Sequence, residues 1–257
     1  MIGTKYVDVV TITLDLDEAL FTTLDNVSQQ SYEAINHIVI YRQASESNIS
    51  KLQNFQHRKN LLYYAQQGKG IASAFNNGID RSQGNLLLFL NSGDILVNRH
   101  VIEKVAQSYE RYGWLWAMGE TISVSRHGYL TKHRPQHKVW NSKLFLYGNP
   151  VCHQSTFYSR KLVDQVGKYD ESLSMEMDYE YNIRANLISS PTLLYFPIAY
   201  YDTTGISSIE VFKQFSHHKR VRDRYFPLSQ LEQLKVDSYC LLKSIFRLAM
   251  VPAKLWL

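Results

Sequence analysis

The stretch GKGIASAFNNGIDRSQGNLLLFLNSGD (68–94) decides the fold. A glycine pair opens a run with helical spacing that ends near Arg81, and an apolar strand, NLLLFL (85–90), leads into the polar turn NSGD (91–94). LLYYA (61–65) precedes it, so the segment reads as strand, crossover helix, strand. Working outward, VDVVTITL (7–14) has the β-branched, apolar pattern of a buried strand. Residues 17–31 carry Ala19, Leu20, Leu24 and Val27 at helical spacing, HIVIY (37–41) is a second strand, and 48–58 a second helix. This alternation predicts right-handed crossovers and an α/β fold with a mostly parallel central sheet flanked by helices. Past residue 95 the pattern loosens. It predicts a helix over 98–111, an irregular 114–148, a strand with a helix starting near Arg160, a helix over 177–188 and a strand over 192–202. No linker composition interrupts the chain, which predicts one domain over 1–228 and a basic amphipathic helical tail over 229–257.

Several function classes fall away. The Gly-x-Gly of the opening stretch is not a dinucleotide fingerprint: its third position is Ser73, it follows the third strand rather than the first, and Asn91 stands where an acid is needed. Lys69 lacks the following Ser/Thr and the glycine spacing of a phosphate-binding P-loop. With 45% hydrophobic and 20% charged residues the chain is neither disordered nor fibrous. Cys152 and Cys240 have no metal-ligand spacing and fit a reducing compartment. The N-terminus has no signal-peptide core, and no run approaches the ~20 apolar residues of a spanning helix. A cytoplasmic protein is expected. The net charge of +5 gathers after residue 210, in KQFSHHKRVRDRY, where nucleic acid, an anionic membrane, a phosphorylated substrate or plain solvent would each suit it. No nucleic-acid-binding motif accompanies it, and no nucleic-acid partner is expected.

Taken with VVTITL at the first strand and an acidic pair in MDYEYNIRA (177–185), the opening stretch resembles the family 2 glycosyltransferases of the GT-A fold. Gly70, Ile71, Ala74, Asn76 or Asn77, Gly78 and Ile79 match the family's helix-opening segment, and FLNSGD matches its D-x-D metal motif with the last carboxylate. The resemblance runs from about residue 7 to 225. It implies a GT-A-like sheet with a less regular acceptor-side second half. The implied enzyme is inverting and divalent-metal-dependent, moving a sugar from a nucleotide-diphosphate donor to a saccharide. The metal, Mn²⁺ or Mg²⁺, would be held by Asp94, with Asn91 and Ser92 lining the phosphates; alternatively, Asp94 caps the next helix. Thr13, Tyr41, Lys69, Gly70, Asn77, Gly205 and Ser207 complete the implied donor site, the last two in TTGISS (203–208), which is otherwise a plain turn.

Asp178 matches the family's general base, and a base within reach of a sugar hydroxyl assists in-line displacement at the anomeric carbon. Glu180 is assigned to the acceptor, although on an ideal helix it lies about 200° from Asp178. Both acids also suit a helix N-terminus. His153 and Gln154, in NPVCHQS (149–155), are the other expected acceptor residues, with a structural histidine as the alternative. One departure stands out: Tyr41 occupies the position where the family reads the nucleobase with an aspartate, with Arg42 beside it. That departure motivates a rival reading, a catalytically degenerate binding or scaffold protein. Lys219, Arg220 and Arg222 face either the diphosphate or solvent. The tail 236–257 places Lys243, Arg247 and Lys254 on one helical face with Leu242, Ile245, Phe246 and Ala249 over much of the rest. It rests on an anionic membrane or docks on protein; the former suits a polyprenyl-diphosphate-linked acceptor in surface polysaccharide synthesis and a location on the inner face of the cytoplasmic membrane.

Overall fold

The computed structural model describes residues 6–55, 60–124, 130–134, 139–202 and 211–249. Its strands are β1 (Val7–Thr13), β2 (Ile35–Tyr41), β3 (Leu61–Ala65), β4 (Leu86–Phe89), β5 (Ile95–Leu96), β6 (Trp116–Val124), β7 (Leu130–Arg134), β8 (Thr156–Ser159) and β9 (Thr192–Asp202). The helices are α1 (Glu18–Ser28), α2 (Glu46–Phe55), α3 (Ile71–Arg81), α4 (Val101–Tyr112), α5 (Arg160–Val166), α6 (Met177–Ile188), α7 (Val211–Tyr225) and α8 (Gln230–Ala249). The strands form one sheet in the order β3-β2-β1-β4-β8-β6-β9-β5, with β7 paired to β6.

The half built from β3, β2, β1 and β4 is parallel throughout, as the alternation of strands and helices requires. Beyond β4 the sheet is mixed. β8 runs antiparallel to both β4 and β6, β9 runs parallel to β6, and β5 pairs antiparallel with β9. The sequence predicts an irregular 114–148, yet Trp116–Val124 is a nine-residue strand bound on both sides. Its direction and partners are set by contacts with segments up to 80 residues away, which no local periodicity encodes.

Alternation within single strands distributes the core to both faces of the sheet. Val10, Leu87 and Phe89 join a cluster with α3, α5 and α6, while Val7, Val9, Leu86, Leu88 and Leu90 join another with α4. A third cluster packs α1 and α2 on β2. Helix α6 is buried on nearly all sides, through Tyr179, Tyr181, Ile183 and Ala185 among others, and that burial fixes the direction of its N-terminal turn.

Candidate active site

Parallel register brings the C-terminal strand ends to one level. Thr13 pairs with Tyr41 and Tyr41 with Ala65, so the loop that opens α3 begins beside both. The Ser92 amide donates to the Ile12 carbonyl, which draws the NSGD turn to the same edge. Gly93, at φ 89°, makes that turn possible. Thr23 of α1 ties the turn down, accepting from the Gly93 amide at 2.9 Å and donating to the Asp94 carbonyl at 2.9 Å. Asp94 is thereby held in the sheet edge, 6% exposed. Thr23 carries no sequence signal beyond its place in a helix, and sequence reasoning missed it.

Antiparallel pairing of β8 with β4 delivers a second group to this edge. His153 lies just before β8, and its Nε2 sits 3.0 Å from Asn91 Nδ2. With Asn91 donating to Nε2, the neutral ring carries its proton on Nδ1, which faces Asp178 Oδ2 at 4.0 Å. Asn149 Nδ2 donates to the same Asp178 oxygen at 2.9 Å, and the Tyr179 amide donates to the other oxygen at 2.7 Å. Four side chains from three separate segments therefore connect: Asn91, His153, Asp178 and Asn149. Asn149 had no assigned role, although it opens the NPVCHQS segment.

Burial sets the charge states. It lowers His153 to about 4, so the ring is neutral at physiological pH. Burial raises Asp178 to about 6, against the opposing pull of the Tyr179 amide and the Asn149 amide group. The Asp178 side chain remains 27% exposed, so an incoming group can reach it. A carboxylate that titrates near neutrality is suited to taking a proton. Asn91 Oδ1 is buried and lacks a hydrogen-bond partner among the described residues. An orphaned amide oxygen beside a carboxylate-bearing turn is an acceptor waiting for a ligand donor or a hard cation.

The other expected site residues divide. Lys69 is exposed at the mouth of the α3 loop, and Gly70 N-caps α3 at φ 87° with no side chain covering the first amides. Thr13 bonds the Asp15 carbonyl. Asn77 is turned onto the loop itself, accepting from the Gln67 amide at 2.6 Å, and Asn76 brackets Tyr169 through its amide and carbonyl. Gln154 is buried. Glu180 does not join Asp178: it is 3% exposed, holds Arg184 through both oxygens and accepts from the Tyr225 hydroxyl. Lys219 and Arg222 are held by Asp223 and Asp237. Gly205 and Ser207 lie outside the described residues. No group of three or more His, Cys, Asp or Glu able to hold a metal is present among the described residues.

Solved structures share this architecture. TarS residues 1–349 of S. aureus, in complex with UDP-GlcNAc, superposes with a TM-score of 0.68 at 14% identity, covering 92% of this chain and 71% of that one. The mannosyltransferase PcManGT from Pyrobaculum calidifontis, in complex with GDP-Man and Mn²⁺, gives a TM-score of 0.67 at 14% identity, covering 99% and 75%. The fold is that of the GT-A glycosyltransferases. An uncharacterised glycosyltransferase of Mycobacterium tuberculosis (strain H37Rv) is 27% identical over 216 residues, 81% of this chain and 79% of the relative. The sequence model of glycosyl transferase family 2 matches residues 8–165, more than half of the chain, and the chain belongs to that family.

Proposed function

We propose that the chain transfers a sugar from a nucleotide-diphosphate donor to a saccharide acceptor with inversion at the anomeric carbon, and that Asp178 is the base. The observation that carries this reading is the junction of Asp178 with Asn91 through His153, which sets a carboxylate raised to about 6 against the strand edge. The donor lies along Thr13, Tyr41, the Lys69–Gly70 loop and Ser92, with Gly205 and Ser207 as further donor residues. The acceptor hydroxyl approaches Asp178, its oxygen bonds to the anomeric carbon, and the bond to the diphosphate oxygen breaks with its electron pair leaving on the diphosphate. Asp178 takes the hydroxyl proton, and Asn149 and the Tyr179 amide hold the carboxylate in line. Neutral His153 adds no charge there and orients the pair.

A divalent cation fits the residues present. Mg²⁺ or Mn²⁺ bound with substrate phosphates and water needs one or two carboxylates, not a protein cage. Asp94 and the orphaned Asn91 Oδ1 are hard oxygen donors on one turn. When bound, the ion would neutralise charge on the leaving diphosphate. The neighbours seen with UDP-GlcNAc, and with GDP-Man and Mn²⁺, support this reading. Gln154 lies beside His153 in the acceptor segment, whereas Glu180 serves as a brace for the helix that bears Asp178. The acceptor we infer is lipid-linked, through a polyprenyl diphosphate, and is met at the inner face of the membrane. Among the described residues no helix is long and apolar enough to cross a membrane.

Calorimetric titration of UDP, GDP, dTDP and CDP, with and without Mn²⁺, tests the proposal. One nucleotide is expected to bind in a metal-dependent manner and to lose at least tenfold in affinity in Asp94→Ala. Absence of binding by every nucleotide, from a folded sample, favours the degenerate scaffold that Tyr41 motivates.

A further inference from the structure

Helix α6 carries a second polar residue on the side of Asp178. Asn182 lies one turn further along and is 1% exposed, on a stretch whose other buried residues are Tyr179, Tyr181, Ile183 and Ala185 with Glu180. A buried amide in such surroundings costs stability unless its hydrogen bonds are made. Those of Asn182 belong to one chain of bonds. The Tyr158 hydroxyl donates to Asn182 Oδ1 at 2.7 Å, Asn182 Nδ2 donates to Asn149 Oδ1 at 3.5 Å, and Asn149 Nδ2 donates to Asp178 Oδ2 at 2.9 Å.

The sense of this chain is fixed from its middle. A backbone N–H only donates, and the Val151 amide meets Asn149 at 3.1 Å, so the atom it meets is the Asn149 oxygen. The Asn149 nitrogen then faces Asp178. A second donor beside the Asn149 oxygen must be the Asn182 nitrogen, which leaves the Asn182 oxygen for Tyr158. Burial raises the Tyr158 phenol well above its ordinary range, so it stays a protonated donor. Reversed, the chain would set the Asn149 oxygen against the Asp178 carboxylate and strand the Val151 N–H. Bonds that run in one sense polarise one another, and every donor here points toward Asp178.

We infer that Asn182 is a positioning residue for Asp178, acting through Asn149: its amide holds the Asn149 oxygen so that the Asn149 nitrogen stays on the carboxylate. The inference rests on the proposed base role of Asp178 and adds the residue that orients its hydrogen-bond donor. An apolar side chain at 182 would leave the Asn149 amide with Val151 alone to set its rotation.

Carbon NMR of the Asp178 carboxyl, titrated from about pH 4 to 8 in protein labelled at the aspartate carboxyl carbon, reads the effect without any substrate. Asp178→Asn identifies the signal. Asn182→Ser is small enough to fit and too short to reach Asn149, which the longer amide meets only at 3.5 Å. Tyr158→Phe/Asn182→Leu removes both partners of the upper bond, so no hydroxyl is stranded. The titratable groups around Asp178 are His153, Glu176 and the phenols of Tyr158 and Tyr169, and Asn182→Ser leaves each in place. Both variants are expected to raise the Asp178 midpoint by roughly half a pH unit, a fraction of one neutral hydrogen bond. In an Asn149→Leu background the same changes are expected to move it no further. An unmoved midpoint in a folded variant overturns the inference, as does an equal shift in the Asn149→Leu background. The nucleotide titration is run on the same samples: a shifted midpoint without nucleotide binding rejects the proposed function alone, and binding with an unmoved midpoint rejects the positioning role alone.

Discussion

At the residue scale, Asp178 is held between two opposing influences. Burial favours the neutral acid, while hydrogen bonds from Asn149 and the Tyr179 amide favour the carboxylate, and the balance falls at about 6. A base works only when deprotonated, so kcat/KM is expected to fall as pH drops through about 6. Removing the Asn149 bond weakens the charged form, which raises the pKa. The acid limb of an Asn149→Leu variant is therefore expected to move upward by roughly one to two pH units, the worth of one hydrogen bond to a charged group. A pH–rate profile over 4.5 to 9 checks this, and an unmoved limb removes Asp178 from the base role. The same shift has a sign for stability. A carboxyl whose folded pKa exceeds the unfolded value stabilises the fold at low pH, and that contribution is lost as pH rises through about 6.

At the element scale, the helix that opens the candidate site is seated by its own small residues. Gly78 of α3 lies against β1, where an added Cβ would come within 2.3 Å of Val10 Cγ1. Val10 is fully buried in the sheet and cannot swing aside. The glycine of the family-like motif thus serves close packing of helix on strand rather than the donor. Gly78→Ala is expected to cost about 1–3 kcal/mol by overpacking, measured by urea denaturation, with nucleotide affinity reduced only through the shift of the α3 loop. The asparagines beside it have the same character: Asn77 closes the loop and Asn76 pins Tyr169, so the motif reads as scaffolding for the loop that opens α3.

At the scale of the whole molecule, Glu180 joins parts distant in the chain. It holds Arg184 at 2.8 Å, Arg184 reaches the carbonyls of Val166 and Lys168 past α5, and the Tyr225 hydroxyl of α7 donates to Glu180 as well. Glu180→Ala leaves a half-buried guanidinium without its carboxylate, and a loss of about 1.5–3 kcal/mol is expected. Chemical denaturation measures it. If Glu180 instead touched the acceptor, the variant would keep its stability and raise KM. The family model matches residues 8–165 and ends before α6, while the solved structures that share the fold cover 92% and 99% of the chain.

Local pattern determined a good deal by itself. The strand-helix alternation to residue 94, the α6 span of 177–188 and the β9 span of 192–202 are readable because apolar spacing and glycine breaks act over a few residues. The family-like segment follows from the same short-range signals, and so does the placement of Asp94 at a strand's C-terminal end. Only the tertiary structure decided the mixed half of the sheet, the turn of Glu180 away from Asp178 and the Asn149 bond. Each of these depends on a partner dozens of residues away: Asn91 meets His153 across 62 positions, Asn149 meets Asp178 across 29, and Tyr225 meets Glu180 across 45. A helix's periodicity states which residues share a side, but what that side meets is settled by packing.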